Sequence, residues 1–595
     1  MRTGLIIVLS ILSIVGFSQR NQEIKYPFQK AFSEAYSQFP NIPRGLLEAV
    51  AFTNTRIKHI RNTAESCVGL PKVYGVMGLT LDGKGYFKNN LNYVSELSGI
   101  SIDDIMDSPE LNIGAFAAAF NHEIAEIRPV KAKNFAHVLS KLSELPGNGL
   151  QESYALNSYL YAVFSFMKDD ANQEAYGFSN HHFNLSELFG KENIKVLQSS
   201  KIRVSETNIE NENGEQFKAS ELKKSIDYPP AISDFTPCNY SSRNGTAISA
   251  VTIHTIQGSY AGAISWFKNC SANVSAHYLL RSFDGQVTQM VLEADKGWHV
   301  GNENPYTIGL EHEGYVNDSS WYTATMYQSS ADLVRDITQS GYGINPLRTA
   351  YFPWAATTNY NVSSIPGSCV KIKGHQHFQG QTHTDPGANW DWKYYDNLIN
   401  EPTTSVDVYT NSSGNITDLG GSGSYTNDER TLQLIQPVNA TSIVLNVDEF
   451  DIEAGWDYLY IYDGNTVYDP VIGIYDGTTI PSTININGSA VLVEFRTDCA
   501  TTSAGFDISW NAIVTNVNNF AENSFKVYPN PTNHELKIQF NSFRTGRVVI
   551  SDITGKKVLV KRYDSANNLS ISVDDLANGI YFLKIGSKVV KFVKD

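Results

Sequence analysis

Basic charge is in short supply: 46 Lys and Arg stand against 61 Asp and Glu, a formal net charge of −15 over 595 residues. Phosphate binding needs a basic surface, so nucleic acid is excluded as the main partner. Cysteine is scarce too. The five residues Cys67, Cys238, Cys270, Cys369 and Cys499 are odd in number, which excludes a fully paired set. Beyond the first residues no stretch is long and apolar enough to span a bilayer, and no repeat of solenoid period runs through the chain.

At the start, Arg2 precedes the apolar run from Leu5 to Val15, and Gly16-Phe17-Ser18-Gln19 frames a cleavage point. Residues 1–19 therefore read as a signal peptide, and the mature chain is expected to be exported and soluble. In an oxidising compartment some cysteines would pair. Cys238, Cys270 and Cys369 share one segment, where one disulfide is expected, but the connectivity stays open.

The length exceeds what one hydrophobic core fills, so about three to five domains are expected. Residues 26–200 read as helical, from the 3.6-residue periodicity of Gly45–Phe52 and Ile113–Phe120. Residues 201–226 hold Glu206, Glu210, Glu212 and Glu215 and read as a solvated linker, ended by Pro229-Pro230. From 227 to 400 the pattern is mixed. A strand is expected over Ala247–Thr255, a hairpin over Tyr278–Leu292 turning at Asp284-Gly285, a strand over Thr307–Gly314 and an amphipathic helix over Thr323–Ser340. That interleaving predicts an α/β domain, a mixed β-sheet flanked by helices. Residues 405–513 and 523–595 are strand-rich and turn-rich, predicting two β-sandwiches.

The α/β segment concentrates histidines and acids in Val251–Thr255 with His254, Ser275-Ala276-His277-Tyr278, Trp298-His299-Val300-Gly301, Ile308–Gly314 with Glu311, Gly374-His375 and Thr382–Gly387 with Asp385. A catalytic zinc site takes three protein ligands and keeps one position open, and it lowers the pKa of water. Two histidines and an aspartate supply such a set, and a neighbouring carboxylate serves as general base. Glu311, on a strand, shares a face with Glu313 and opposes Leu310 and His312. His377 offers an alternative partner for His375, while His277 and His299 read as groove-lining or bracing residues and Glu313 as a supporting or surface acid.

Together and in order, these motifs resemble the type 2 N-acetylmuramoyl-L-alanine amidases, relatives of the peptidoglycan recognition proteins, over about Tyr228 to Trp392. The resemblance implies zinc ligation by His254, His375 and Asp385, with Glu311 as the catalytic glutamate. Many relatives carry an oxyanion-steadying lysine two residues before the last ligand. Here that place holds His383, whose imidazole could do the same electrostatic work. The implied reaction is hydrolysis of the amide between N-acetylmuramic acid and L-alanine in peptidoglycan. The alternatives are a non-catalytic peptidoglycan-binding module and an adhesin.

Three further resemblances surround this segment. Ile42–Ala51, Tyr74–Leu79 and Pro109–Ile113 resemble lytic transglycosylases, but Asn54-Thr55 stands where those enzymes place a glutamate and a small hydroxyl residue. An amide cannot protonate a glycosidic oxygen, so no glycosidase activity is expected. That leaves a glycan-binding remnant or a helical spacer. Phe450–Glu453, Trp456–Gly464 and Phe495–Asp498 resemble a CUB domain, which implies a calcium site at Glu453, Asp457 and Asp498, with plain turn acids as the alternative. Val527–Thr532, Asn578–Phe582 and Lys591–Lys594 resemble the C-terminal sorting domain of type IX secretion. The implied partner is that secretion machinery, the implied location is the cell surface or the medium, and the working enzyme would end near residue 520.

Overall fold

The computed structural model describes residues 25–63, 65–125, 127, 132–147, 150–198, 202–204, 208–211, 216–218, 226–353, 369–401, 404–514, 525–586 and 588–595; the expected signal peptide, 1–19, lies outside them. Among the described residues no helix is long and apolar enough to cross a membrane.

The expected helical segment contains helices Gln29–Gln38, Leu46–Thr55, Asn90–Ser98, Pro109–Ala125, Ala132–Leu142 and Leu150–Lys168, with shorter ones between and after. Pro109–Ala125 is apolar on nearly all sides and buries Asn112, Ile113, Phe116, Ala117 and Phe120, as a helix at the centre of a core must. Of the segment read as linker, residues 202–204, 208–211 and 216–218 pair as three short antiparallel strands.

The α/β segment builds one six-stranded sheet. Its order is Ile372–Gly374, Ala250–Thr255, Thr307–His312, Tyr278–Leu280, Val287–Gln289 and Ile232–Ser233. The first four strands run parallel, and the expected hairpin supplies the antiparallel pair Tyr278–Leu280 with Val287–Gln289. Every residue of Ala250–Thr255 and Thr307–His312 is buried, because parallel strands are covered on both faces. The two faces meet different partners. Val251, Ile253, Ile308 and Leu310 pack with Met326, Val334 and Trp392 of the helices Ala324–Gln339 and Trp392–Asn400. The other side carries helix Tyr260–Lys268, and its Ile264 and Phe267 belong to one continuous core with Phe116, Leu139 and Phe164 of the helical domain.

The β-sandwich pairs a five-stranded sheet with a four-stranded one around Ile443, Leu445, Ile461, Val493, Phe495 and Trp510. Its five-stranded sheet is buried on the outside too: Tyr458, Tyr460, Tyr462 and Leu492 join the core of the α/β domain. Buried charges stitch the seam. Arg496 donates to Asp396 at 2.7 Å, and Glu494 accepts from Arg430 at 2.8 Å and Lys393 at 2.5 Å. The one disulfide expected inside the α/β segment is Cys238–Cys270; Cys369 instead reaches Cys499 of the sandwich, and Cys67 is free. The C-terminal segment, expected as a second sandwich, has its five strands in one hydrogen-bonded sheet, because the long strand Glu535–Asp552 pairs with three of the others, around Leu536, Ile550, Leu583 and Phe592.

Candidate metal centre

Register places the chemistry. On adjacent parallel strands His254 lies directly opposite Glu311, and Gly374 lies opposite Ile253, so His375 follows one step beyond the sheet, beside His254. All three sit at the C-terminal ends of parallel strands, where open α/β sheets place their ligands. Asp385 comes from the loop after His375, and its carbonyl accepts from the Gln376 N–H at 3.0 Å. Gly374 is required here: a Cβ would lie 2.5 Å from Pro386 Cδ, the residue that follows Asp385.

The carboxylate of Asp385 is the hub. Its Oδ2 is 2.9 Å from His254 Nδ1, and its Oδ1 is 3.3 Å from His375 Nδ1. Glu311 Oε1 is 3.9 Å from His254 Nδ1. Burial alone would raise the Asp385 pKa, but His375 and His254 outweigh it and hold the carboxyl well below the usual range. Burial, reinforced by Asp385, pushes Glu311 well above its ordinary value. Burial lowers His254 to about 4, so its ring is neutral, the form that binds metals.

A chain of hydrogen bonds orients the ring of each histidine. Thr307 Oγ1 donates to the Glu303 carbonyl at 2.9 Å, so it accepts from His299 Nε2 at 3.4 Å. His299 Nδ1 is then an acceptor, 3.0 Å from His254 Nε2. The Nδ1 edge of the His254 ring is left facing Asp385 Oδ2, at 2.9 Å. In the same way His375 Nε2 donates to Gln381 Oε1 at 3.0 Å and turns Nδ1 inward. Such outer partners commonly orient histidine ligands of metals.

These residues fit zinc. His375 Nδ1 is buried and faces only the Asp385 carboxylate, at 3.3 Å, so it is aimed at the cluster. A ring nitrogen of each histidine, a carboxylate oxygen of Asp385 and the sulfur of Cys67 all lie within 4.8 Å of one another. Nitrogen, oxygen and sulfur donors are the set zinc takes.

Expected site residues His254, His375, Asp385 and Glu311 thus converge. His383 stands beside them, half-buried, its ring centroid 4.7 Å from that of His375. His377 faces away, since its Nδ1 accepts from the Gly374 N–H at 3.1 Å. His277 braces the sheet by accepting from the Gly309 N–H at 3.0 Å. His312 points to the opposite face and meets Ser330 Oγ at 2.7 Å. Glu313 is no surface acid: it is buried and accepts from the N–H groups of Tyr260 and Ser282, both at 2.9 Å.

Three participants were not legible beforehand. The orienting work of His299 and Gln381 needs the folded loops, although Trp298-His299 stood out as a motif. Cys67 comes from the helical domain, 244 residues from Glu311 in sequence, and carries no spacing signal.

In the sandwich, Glu453, Asp457 and Asp498 also gather within 4.8 Å. Glu453 Oε2 and Asp498 Oδ2 are buried without hydrogen-bond partners, so the donor set fits a hard cation.

Profiles of three families match the chain: N-acetylmuramoyl-L-alanine amidase over 244–388, CUB domain over 405–510, and secretion system C-terminal sorting domain over 526–595. N-acetylmuramoyl-L-alanine amidase A of Achromobacter lyticus is 42% identical over 177 residues, 29% of this chain and 96% of that protein. The 1,6-anhydro-N-acetylmuramyl-L-alanine amidase AmpD of Citrobacter freundii is 28% identical over 134 residues, 21% of this chain and 57% of that protein. Human cubilin is 32% identical over 108 residues, 17% of this chain and 3% of cubilin.

Proposed function

This chain belongs to the N-acetylmuramoyl-L-alanine amidase family, and we propose that it hydrolyses the amide between N-acetylmuramic acid and L-alanine of peptidoglycan, outside the cell, with zinc held by His254, His375 and Asp385. The observation that carries this is the convergence of those three donors with Glu311 at one end of the sheet. Zinc, when bound, supplies a Lewis acid and brings the pKa of water near neutrality.

The chain's own residues do the rest. Glu311 takes the proton from the attacking water and returns it to the leaving alanine nitrogen. His383 is the donor that steadies the oxyanion, in the place relatives give to lysine. His299 and Gln381 hold the two histidine rings in ligating orientation. A purely binding relative would need no complete donor set, and this one is complete, which favours catalysis over recognition.

The helical domain is not assigned glycosidase chemistry: the Asn54 amide donates to the Met77 carbonyl at 2.9 Å and has no acidic proton to give. Glu453, Asp457 and Asp498 are proposed as a calcium site of the sandwich, and the C-terminal unit as the signal for type IX export.

Digestion of purified peptidoglycan with mass spectrometry of the products tests the reading. Stem peptides beginning at L-alanine should be released by the wild type, and lost with Glu311→Ala and after chelation. Binding without release would make the chain a recognition protein, and cleaved sugar chains would put the chemistry in the helical domain.

A further inference from the structure

The reactive ends of the sheet face the helical domain, and one of its side chains reaches them. Cys67 is free, and its sulfur lies 3.5 Å from Glu311 Oε1 and 3.8 Å from Oε2. That sulfur also belongs to the cluster formed by His254, His375 and Asp385. It therefore stands where an attacking water would: as a thiol it donates to the general base, and to bind the metal it would release that proton to solvent and ligate as the thiolate. Zinc–sulfur and zinc–nitrogen bonds of about 2.3 and 2.0–2.1 Å place tetrahedral ligands roughly 3.5 Å apart, which modest closure of the cluster satisfies.

The thiol is held in place by its neighbours. On one side Ser66 Oγ donates to the Ile256 carbonyl at 2.6 Å; on the other Trp266 Nε1 donates to the Val68 carbonyl at 2.8 Å. Leu70 packs over Gly258, where a Cβ would lie 2.8 Å from Leu70 Cδ1. Farther out, Arg56 donates to Ser282 Oγ at 2.9 Å and stacks on Trp321, while Lys58 pairs with Asp318 at 2.5 Å. Beneath this contact Glu311 is 0% exposed, and His254, His375 and Asp385 are 0%, 2% and 3% exposed. Cys67, which stands over them, is itself partly exposed.

We propose that Cys67 is a fourth protein ligand of the metal, and that the helical domain uses it to slow the full chain without silencing it, so the wild type still releases stem peptides while Cys67→Ser releases them faster. The inference rests on the zinc reading above. Four protein ligands make a closed site, whereas a catalytic one keeps a position free. Opening breaks the metal–sulfur contact, the thiolate takes a proton from solvent, and water gains access to Glu311. No oxidant or reductant is required.

The test uses the full chain loaded with cobalt in place of zinc, and Cys67→Ser beside it. Wild type should show the near-ultraviolet charge-transfer band of a sulfur–cobalt bond, and the variant should lack it. The Cys67 thiol of the wild type should resist a thiol reagent with metal bound and react after chelation. Activity on soluble muropeptide should rise roughly tenfold or more in Cys67→Ser, since a tethered competitor acts at an effective concentration on the order of millimolar. Metal bound by the wild type without a sulfur band, or a thiol equally reactive with metal present, would overturn the ligation. A band without a rise in activity would overturn the slowing. Failure of the wild type to bind any metal would sink the zinc reading itself.

Discussion

At the scale of single residues, the site divides into groups legible in the sequence and groups that were not. His254, Glu311, His375 and Asp385 each sit in a short motif whose neighbours fix its position: a strand end, a parallel register, a Gly before a ligand, a Pro after one. His299 had a motif and read as a groove-lining or bracing residue, but its particular partner was hidden, because its task is a hydrogen bond to His254 across 45 residues of chain. Cys67 had neither. Glu311→Gln should leave the fold and the metal content intact and lower the hydrolysis rate by about two to four orders of magnitude, the usual worth of a general base. Circular dichroism, metal analysis and product release on one preparation would check this; a rate within tenfold of wild type would remove Glu311 from the mechanism.

At the scale of elements, the strand Thr307–His312 carries more than its glutamate. The ring of His299 lies over Gly309, where a Cβ would stand 2.6 Å from its Cγ and Nδ1. Gly309→Ala should push that ring off His254 and weaken metal binding by about 10–100-fold, as disturbed outer partners do. Competition with a chromophoric chelator reads this directly, and unchanged affinity would show that His299 does not orient the ligand. The acidic cluster of the sandwich makes a different prediction. Burial first, then Asp498, raises Glu453 from 4.5 to about 7; burial first raises Asp457 from 3.8 to about 8, against its hydrogen bond from Tyr425. Raised carboxyl values mean that the protonated cluster stabilises the fold at low pH. That contribution is lost as pH climbs through about 7 and about 8. Calcium should offset the loss, so the rise in unfolding temperature on adding calcium should be larger at mildly alkaline than at mildly acidic pH. An equal rise at both would mean that the three acids hold no cation.

At the scale of the whole molecule, domain identities were readable while their docking was not. Periodicity and turn residues separate helical, α/β and β segments because each needs a different local pattern. Docking depends on surfaces assembled from distant residues, such as Tyr460 of the sandwich lying in one core with Trp392. The cysteines show the same limit: Cys369 and Cys499 are 130 residues apart and join two domains. Cys369→Ser should lower stability by about 2–5 kcal/mol, and calorimetry should show the sandwich melting apart from the α/β domain. Deleting residues 405–513 should cost more than the sandwich. It would bare the apolar seam in which Tyr351 and Trp392 pack with Tyr458, Tyr460 and Leu492, so the remaining domain should express poorly or aggregate.

The seam closed by Cys369–Cys499 and by the Asp396–Arg496 pair also has a mechanical side. A sandwich that grips a surface would set the attitude of the cutting edge the moment it lands, because the joint between them has no swivel. Such an enzyme cannot sweep across neighbouring bonds from one foothold. It has to let go and alight again, so the pattern of cuts would follow the spacing of footholds instead of the reach of an arm.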